Sequence, residues 1–379
     1  MAINLAASLA RLGHEVTIFN QRAELYDAAL VKRLLPPSVR VLSMADRPRR
    51  SYWAYKLNGL GQRLGVRYPF YERAQQAYFR ACLKRHQIEL VNSHATYSDR
   101  LCAPVLCGTG IPLVITEHGE YTMFLLEGKK DFDTTLTQAS AIVTVSDYCQ
   151  QKLRKSFANL PPTQTIYNGV VTDASHHKAS SRAELGIDSE DFVFGMAARG
   201  IALKGWEQAI VAFKQVRDAS FGRKVHFVLV GGGLYMEELQ IKFGNETGLH
   251  FIGRVPNPDF YMAGFDVGLL PSYFPSEALP LSIIEYMTYG LPTIATDLGG
   301  IPELLVHPGG NTGQLIAINK QTGKPDIAEL RDAMLRYLTD QQLYAGHAER
   351  AKEVSKGYTM EVCASEYQQV FRMVSGQPV

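Results

Sequence analysis

The sequence predicts an α/β protein built as two Rossmann-like units in series, and three observations lead there. Apolar runs of strand length alternate with helical patterns, the alternation stops at a polar stretch near the middle, and it then starts again. A chain of 379 residues, 46% hydrophobic and 20% charged, is also long enough for two separate cores.

In chain order, Leu5, Leu9 and Leu12 mark one face of an amphipathic helix that Gly13 ends. This opening is not a signal peptide, because no basic residue precedes its apolar part and Arg11 follows it. Strands are predicted at Val16–Phe19, Val39–Met44, Leu90–Ser93, Leu113–Thr116, Ile142–Val145 and Thr165–Tyr167. Polar Thr172–Ser181 (TDASHHKASS) predicts a linker. The second set of strands is Phe192–Ala197, Val225–Val230, His250–Ile252, Val267–Leu270 and Thr293–Ala295, with helices such as Trp206–Asp218 and Leu281–Tyr289 between them. The expected domains are therefore 1–175 and 176–358, followed by a helix-bearing tail, 359–379. For the tail's helix, Met360–Met373, the first domain is the candidate partner.

Five scattered cysteines without CxxC or Cys/His ligand spacing indicate neither a disulfide framework nor a zinc site, and fit a reducing, cytoplasmic compartment. No apolar run approaches the roughly 20 residues that a membrane-spanning helix needs. The formal charge of +2 hides an asymmetry, since Val31–Arg85 holds 13 Lys/Arg against 2 Asp/Glu. Tyr52, Trp53, Tyr55, Tyr68, Phe70, Tyr71, Tyr78 and Phe79 lie in the same stretch. That mixture suits anionic headgroups or phosphate-bearing acceptors, and hence peripheral attachment to a membrane's inner face; the alternative is a solvated surface over core aromatics. Nucleic acid is not expected as a partner, because no recognised binding motif accompanies the charge.

Ligands of open parallel sheets bind beyond the carboxyl ends of the strands, so the residues after each run are the candidates. Behind Phe192–Ala197, the loop Ala198-Arg199-Gly200-Ile201-Ala202-Leu203-Lys204-Gly205 sets two cations just before a helix, an arrangement suited to a diphosphate. Farther on, YFPSEALPLSIIEYMTYGLPTIAT carries Glu277 in a loop and Glu285 in the first turns of the helix that Gly290 and Pro292 close. Carboxylates beside a phosphate site are good acceptors for sugar and ribose hydroxyls. For Glu285 the alternative is a structural role at the helix start. The run Gly231-Gly232-Gly233 lacks the third glycine of GxGxxG and is a weak dinucleotide signal. His118, in a His-Gly turn after a strand, is a candidate site residue, and His94 is a weaker one.

With these motifs the sequence resembles glycosyltransferase family 4, the retaining GT-B family also called glycosyl transferases group 1. The resemblance rests on the Arg-x4-Lys-Gly loop at Arg199 to Gly205 and on the Glu-x7-Glu spacing of Glu277 and Glu285 with its Gly290-Leu291-Pro292 tail. Gly299-Gly300-Ile301-Pro302-Glu303, Gly13-His14-Glu15-Val16, Thr116-Glu117-His118-Gly119, Val145-Ser146 and Tyr167-Asn168-Gly169-Val170 extend it over nearly the whole chain.

The resemblance implies two Rossmann-like domains facing across a cleft, with a nucleotide-diphosphate sugar held mainly by the second. Arg199 and Lys204 would meet the phosphates, Glu285 the ribose, and Glu277 the hydroxyls of the transferred sugar. Gly232, Arg254 and Val255 would approach the base through backbone groups. His118 would face the donor sugar, and Asn168 would serve the hinge or cleft. The acceptor would be a glycan or a lipid-linked glycan. Neither a cofactor nor a metal is implied, because cationic side chains face the phosphates and no Asp-x-Asp motif is present.

The sequence departs from the family at three places. Met1 already lies in the first helix, so about 15 to 20 residues carrying a first strand and a Gly-rich loop are expected ahead of it. A start codon assigned too late is favoured over a shortened domain. Ala198 stands where Gly often precedes the Arg, and Ala278-Leu279-Pro280 stands where Gly-Phe-Gly is common; Pro280 has no N–H to offer a phosphate. Two competing readings are a degenerate GT-B subunit that binds a partner or membrane without turnover, and a GT-B nucleotide-sugar epimerase.

Overall fold

The computed structural model describes residues 1–22, 28–46, 48–63, 69–171, 176–219 and 222–376. Tyr68 and the first part of the expected linker, 172–175, lie outside the described residues. The chain forms two compact units. Unit one comprises Met1–Val145, Cys149–Gly169 and Met360–Val379, and unit two comprises Ser146–Tyr148 and Val170–Thr359.

Unit one contains the parallel pair β1 (Thr17–Asn20) and β2 (Arg40–Ser43), and a separate parallel sheet of β3 (Val91–Ser93), β4 (Leu113–Glu117), β5 (Ala141–Thr144) and β6 (Thr163–Thr165), in that order. Side chains alternate across β4, so Leu113 and Ile115 enter one core with Phe79, Leu101, Tyr121 and Ile142. Val114 enters the other, with Leu5, Leu9, Met360 and Tyr367. That second core joins the first helix, Ala2–Arg11, to the last, Met360–Ser375. There the Tyr367 hydroxyl donates to Thr116 Oγ1 at 3.2 Å, and Gln368 Nε2 donates to His14 Nε2 at 2.7 Å.

Two expectations for this unit and one for the start of the next need correction. Leu12 does not share the buried face of Leu5 and Leu9; it follows the helix end and is 50% exposed. The strand expected at Thr165–Tyr167 is Thr163–Thr165, a polar edge strand, and apolar Ile166 follows it into the core. The expected linker ends early, because a helix runs from Lys178 to Glu184. Charge anchors that helix: buried Arg182 donates to Asp266 at 2.6 Å and to the carbonyls of Gly264, Ser189 and Asp191, while Lys178 meets the other Asp266 oxygen at 2.5 Å.

Unit two is a six-stranded parallel sheet. Its strands are β7 (Phe192–Ala197), β8 (Val225–Val230), β9 (Leu249–Gly253), β10 (Val267–Leu270), β11 (Thr293–Thr296) and β12 (Gly313–Ile316), in the order β12-β11-β10-β7-β8-β9. The strand order reverses direction between β7 and β10, so these neighbours flank the crevice in which open sheets bind ligands. Edge strand β12 and the small hairpin of Ile318–Asn319 with Lys324–Pro325 lack a strong apolar signal and were not expected.

Adjacent glycines make the β7–β10 junction. Gly195 and Gly268 are register partners. A Cβ on Gly195 would fall 2.0 Å from the Phe265 ring, and one on Gly268 would fall 2.3 Å from the Tyr286 ring. The ladder between the two strands pairs only Val267 with Phe194 and Gly268 with Gly195. Beyond it, the Ala197 N–H donates to the Tyr286 hydroxyl at 2.7 Å, so a core side chain takes the place of a neighbouring strand. Overpacking at Gly195 by Ala is expected to cost about 1–3 kcal/mol, read as a lower urea midpoint at unchanged slope. An unchanged midpoint would show that the Phe265 ring yields freely.

Candidate active site

The loop after β7 is held by its backbone. The Arg199 carbonyl accepts from Trp206 Nε1 at 2.9 Å and from Ile201 N at 2.8 Å, which ties the loop to a fully buried indole. A short 3-10 turn, Ala202–Lys204, leads into Gly205, which starts helix Trp206–Asp218 with φ +81°. A Cβ at Gly205 would lie 1.9 Å from the Pro271 carbonyl, so both conformation and crowding require glycine there.

That crowding brings in the loop after β10. Tyr273 N donates to the Leu203 carbonyl at 2.8 Å, and the Lys204 ammonium reaches Glu277 Oε2 at 2.6 Å. The Ser272 hydroxyl donates to the same oxygen at 2.6 Å. Lys204 and Glu277 are both buried, and an ion pair so placed is held only where further hydrogen bonds complete it. Arg199, exposed, and Lys204 each sit 5.5 Å from the centre of the Phe274 ring, so both cations are gathered about one aromatic ring. Behind Glu277, the Gly300 N–H donates to its carbonyl at 2.9 Å.

The structure thus brings Arg199, Lys204 and Glu277 together. Ser272 and Phe274 complete the group and were missed in the sequence; the only signal was a small polar residue directly after an apolar strand, the same rule that located the loop. Glu285 lies in the first turns of helix Leu281–Thr288, partly buried. Burial, and then the charge of Asp259, pushes its carboxyl up to about 7. Gly232 and Arg254 are also in contact, since a Cβ on Gly232 would fall 2.6 Å from Arg254 Cβ. The Arg254 side chain is exposed, whereas Val255 packs against the core. Glu303, which the motif reading quoted without a role, accepts from the N–H groups of Asp147 and Tyr148 at 2.8 Å each.

In unit one, the two histidines singled out in the sequence are neighbours. His94 follows β3 and His118 follows β4, and their rings stack with His94 Nδ1 3.0 Å from His118 Nε2. Burial and then the neighbouring His118 lower His94 to about 3, and burial lowers His118 to about 4, so both are neutral at pH 7. One ring must then donate and the other accept. The turn carrying His118 is fixed by Gly119, at φ +104°, and by buried Glu117, which accepts from Tyr121 N at 3.1 Å and Thr122 N at 2.8 Å. Asp99 bonds the Tyr121 hydroxyl at 2.7 Å, and burial raises it to about 7. Glu117 as a cap and Asp99 were also missed. Asn168 is buried, and its Oδ1 has no hydrogen-bond partner among the described residues.

Comparison with known proteins agrees with this architecture. The profile of Glycosyltransferase Family 4 matches residues 1–174, and that of Glycosyl transferases group 1 matches residues 177–354. The N-acetyl-alpha-D-glucosaminyl L-malate synthase of Bacillus anthracis is 24% identical over 318 residues, 80% of each chain. Sucrose-phosphate synthase from Thermosynechococcus elongatus superposes with a TM-score of 0.75 at 19% identity, over 98% of this chain and 92% of that one. HepE of Anabaena, solved with UDP and glucose, superposes with a TM-score of 0.71 at 21% identity, over 98% and 94%. The fold is that of the GT-B glycosyltransferases. Within that class the chain belongs to the glycosyltransferases described as family 4 and group 1, one profile matching each half.

The raised carboxyl of Glu285 has a consequence for stability. Between its ordinary value of 4.5 and about 7, the native chain keeps a proton that the unfolded chain has released. Stability is therefore lost as pH rises through that window, and the loss is complete above it. Relative to wild type, Glu285→Gln is expected to gain roughly 1–3 kcal/mol more at pH 8 than at pH 4.5 in urea titrations. An equal difference at the two pH values would contradict the assignment.

Proposed function

We propose that the chain is a retaining sugar transferase that moves a sugar from a nucleotide-diphosphate donor to a glycan or lipid-linked acceptor in polysaccharide or glycoconjugate biosynthesis. The observation that carries the reading is the cluster at the ends of β7 and β10, where Arg199, Lys204 and Glu277 converge over Phe274. An exposed guanidinium beside a buried ammonium–carboxylate pair offers positive charge where a departing diphosphate would build negative charge. Glu277 has one oxygen bonded to Lys204 and Ser272, which leaves Oε1 to accept from a sugar hydroxyl. Glu285 would take the ribose hydroxyls, and Gly232, Arg254 and Val255 would approach the base. HepE, which shares the fold, has been solved with UDP-glucose, a donor of the class proposed.

In the reaction, the bond from the anomeric carbon to the diphosphate oxygen breaks as the acceptor oxygen bonds to that carbon. The acceptor proton passes to the departing phosphate on the same face. No step requires a protonated histidine, in keeping with the neutral His94–His118 pair. His118 would contribute as a hydrogen-bonding group toward the donor sugar. The same reading has the chain work in the cytoplasm, at an anionic membrane surface, with the basic, aromatic stretch before Arg85 as its support.

Equilibrium binding of UDP, GDP and ADP, followed by hydrolysis and transfer assays with a panel of nucleotide sugars, tests the proposal. One of the three nucleotides should bind, and Arg199→Ala should weaken it about 10- to 100-fold by removing a charge-assisted contact. Glu277→Gln should lower kcat and, by leaving the buried Lys204 ammonium without its partner, also lower the melting temperature. If none of the nucleotides binds, or if Arg199→Ala leaves affinity unchanged, the reading fails.

A further inference from the structure

Away from the strand ends, unit one carries a helix, Pro48–Arg63, whose outward face is apolar. Tyr52, Trp53, Tyr55, Leu57 and Leu60 are 44% to 70% exposed, whereas Ala54, on the opposite side, is buried. At 100° per residue Trp53, Leu57 and Leu60 fall within about 60° of one another, Lys56 and Arg63 lie beside them, and Tyr52 and Tyr55 continue the exposed arc beyond the two cations. The inner side packs on helix Phe70–Arg85. The face is ordered by its own contacts: Lys56 Nζ sits 5.5 Å from the centre of the Tyr52 ring, and the Tyr52 and Trp53 rings meet edge to face at 5.7 Å.

Large apolar side chains grouped on a surface mark a contact, and charge indicates what they contact. The helix sequence PRRSYWAYKLNGLGQR contains four cations and no acid, and the helix beneath it has a single acid in its first turn. A second copy of the same face would set like charge against like charge, which disfavours self-association. An anionic bilayer complements both features, because rings and aliphatic side chains enter the boundary between headgroups and acyl chains while cations meet the phosphates. Among the described residues no helix is long and apolar enough to cross a membrane, so a contact through this face is interfacial.

We infer that the exposed face of Pro48–Arg63 docks the chain on an anionic lipid surface, with Trp53, Leu57 and Leu60 inserted and Lys56 and Arg63 at the headgroups. The inference rests on the membrane part of the proposed function. Donor binding is measured separately in the same preparation, so the two fail independently.

The chain reports on this contact without a label. It has two tryptophans; Trp206 is fully buried and Trp53 is 64% exposed, so a change in tryptophan emission on adding vesicles reads Trp53. With phosphatidylglycerol vesicles at low salt, the full chain should co-sediment, its emission should shift to the blue, and brominated acyl chains should quench it. Phosphatidylcholine vesicles should bind at least about tenfold more weakly, and added salt should weaken phosphatidylglycerol binding. Lys56→Gln should lower partition about fivefold, and Trp53→Ala with Leu57→Ala about tenfold or more, at unchanged melting temperature and nucleotide affinity. Absence of sedimentation and of any emission shift with phosphatidylglycerol at low salt overturns the inference. So does wild-type partition by the double variant, or a vesicle-free dimer in ultracentrifugation that itself shifts Trp53 emission.

Discussion

The second unit's site depends on one buried ion pair. Lys204 and Glu277 are 73 residues apart in sequence and meet at 2.6 Å in a setting nearly closed to water, where neither charge is tolerable without the other. Two loops from different strands must therefore approach until their backbones touch. The surrounding sequence obeys that demand, with glycine at 205 against the Pro271 carbonyl and glycines at 299 and 300 against the carbonyls of Glu277 and Ala278. Ser272 completes the pair from below, and Phe274 spreads a ring beneath it and Arg199. Of the two cations, Arg199 is left facing solvent, where a ligand can reach it.

Unit one follows the opposite electrostatic logic. Its strand-end residues are a stacked pair of imidazoles that burial keeps uncharged, with buried Glu117, beside His118 in the chain, accepting from first-turn N–H groups of the following helix. The strand ends of the two units thus differ, with fixed charge gathered in the second and a neutral imidazole pair in the first.

How much of this was readable beforehand varied with the kind of interaction. Strands β7, β8 and β10 matched their expected limits because both faces are covered, which leaves a near-continuous apolar run interrupted only by His226 in β8. Edge strand β6 is polar throughout, and β12 opens with Gly313 and Gln314, so the apolar run that reveals a central strand is absent or short in them. Helix Lys178–Glu184 was hidden for a different reason: Arg182 and Asp266, not an apolar stripe, hold it, and no periodicity records a salt bridge. Arg199, Lys204, Glu277 and Glu285 were all visible from spacing. That Lys204 and Glu277 touch was not, because three helices and three strands lie between them in sequence.

Tyr286 couples the middle of the protein to its working edge. Its hydroxyl terminates the β7–β10 ladder by taking the Ala197 N–H, two residues before Arg199, while its ring fills the space that Gly268 leaves. The divergence of the two loops is thereby dictated by a residue that would never be chosen from a list of solvent-facing groups. A substitution in this aromatic layer would therefore shift the loops that carry Arg199 and Glu277 without touching either residue.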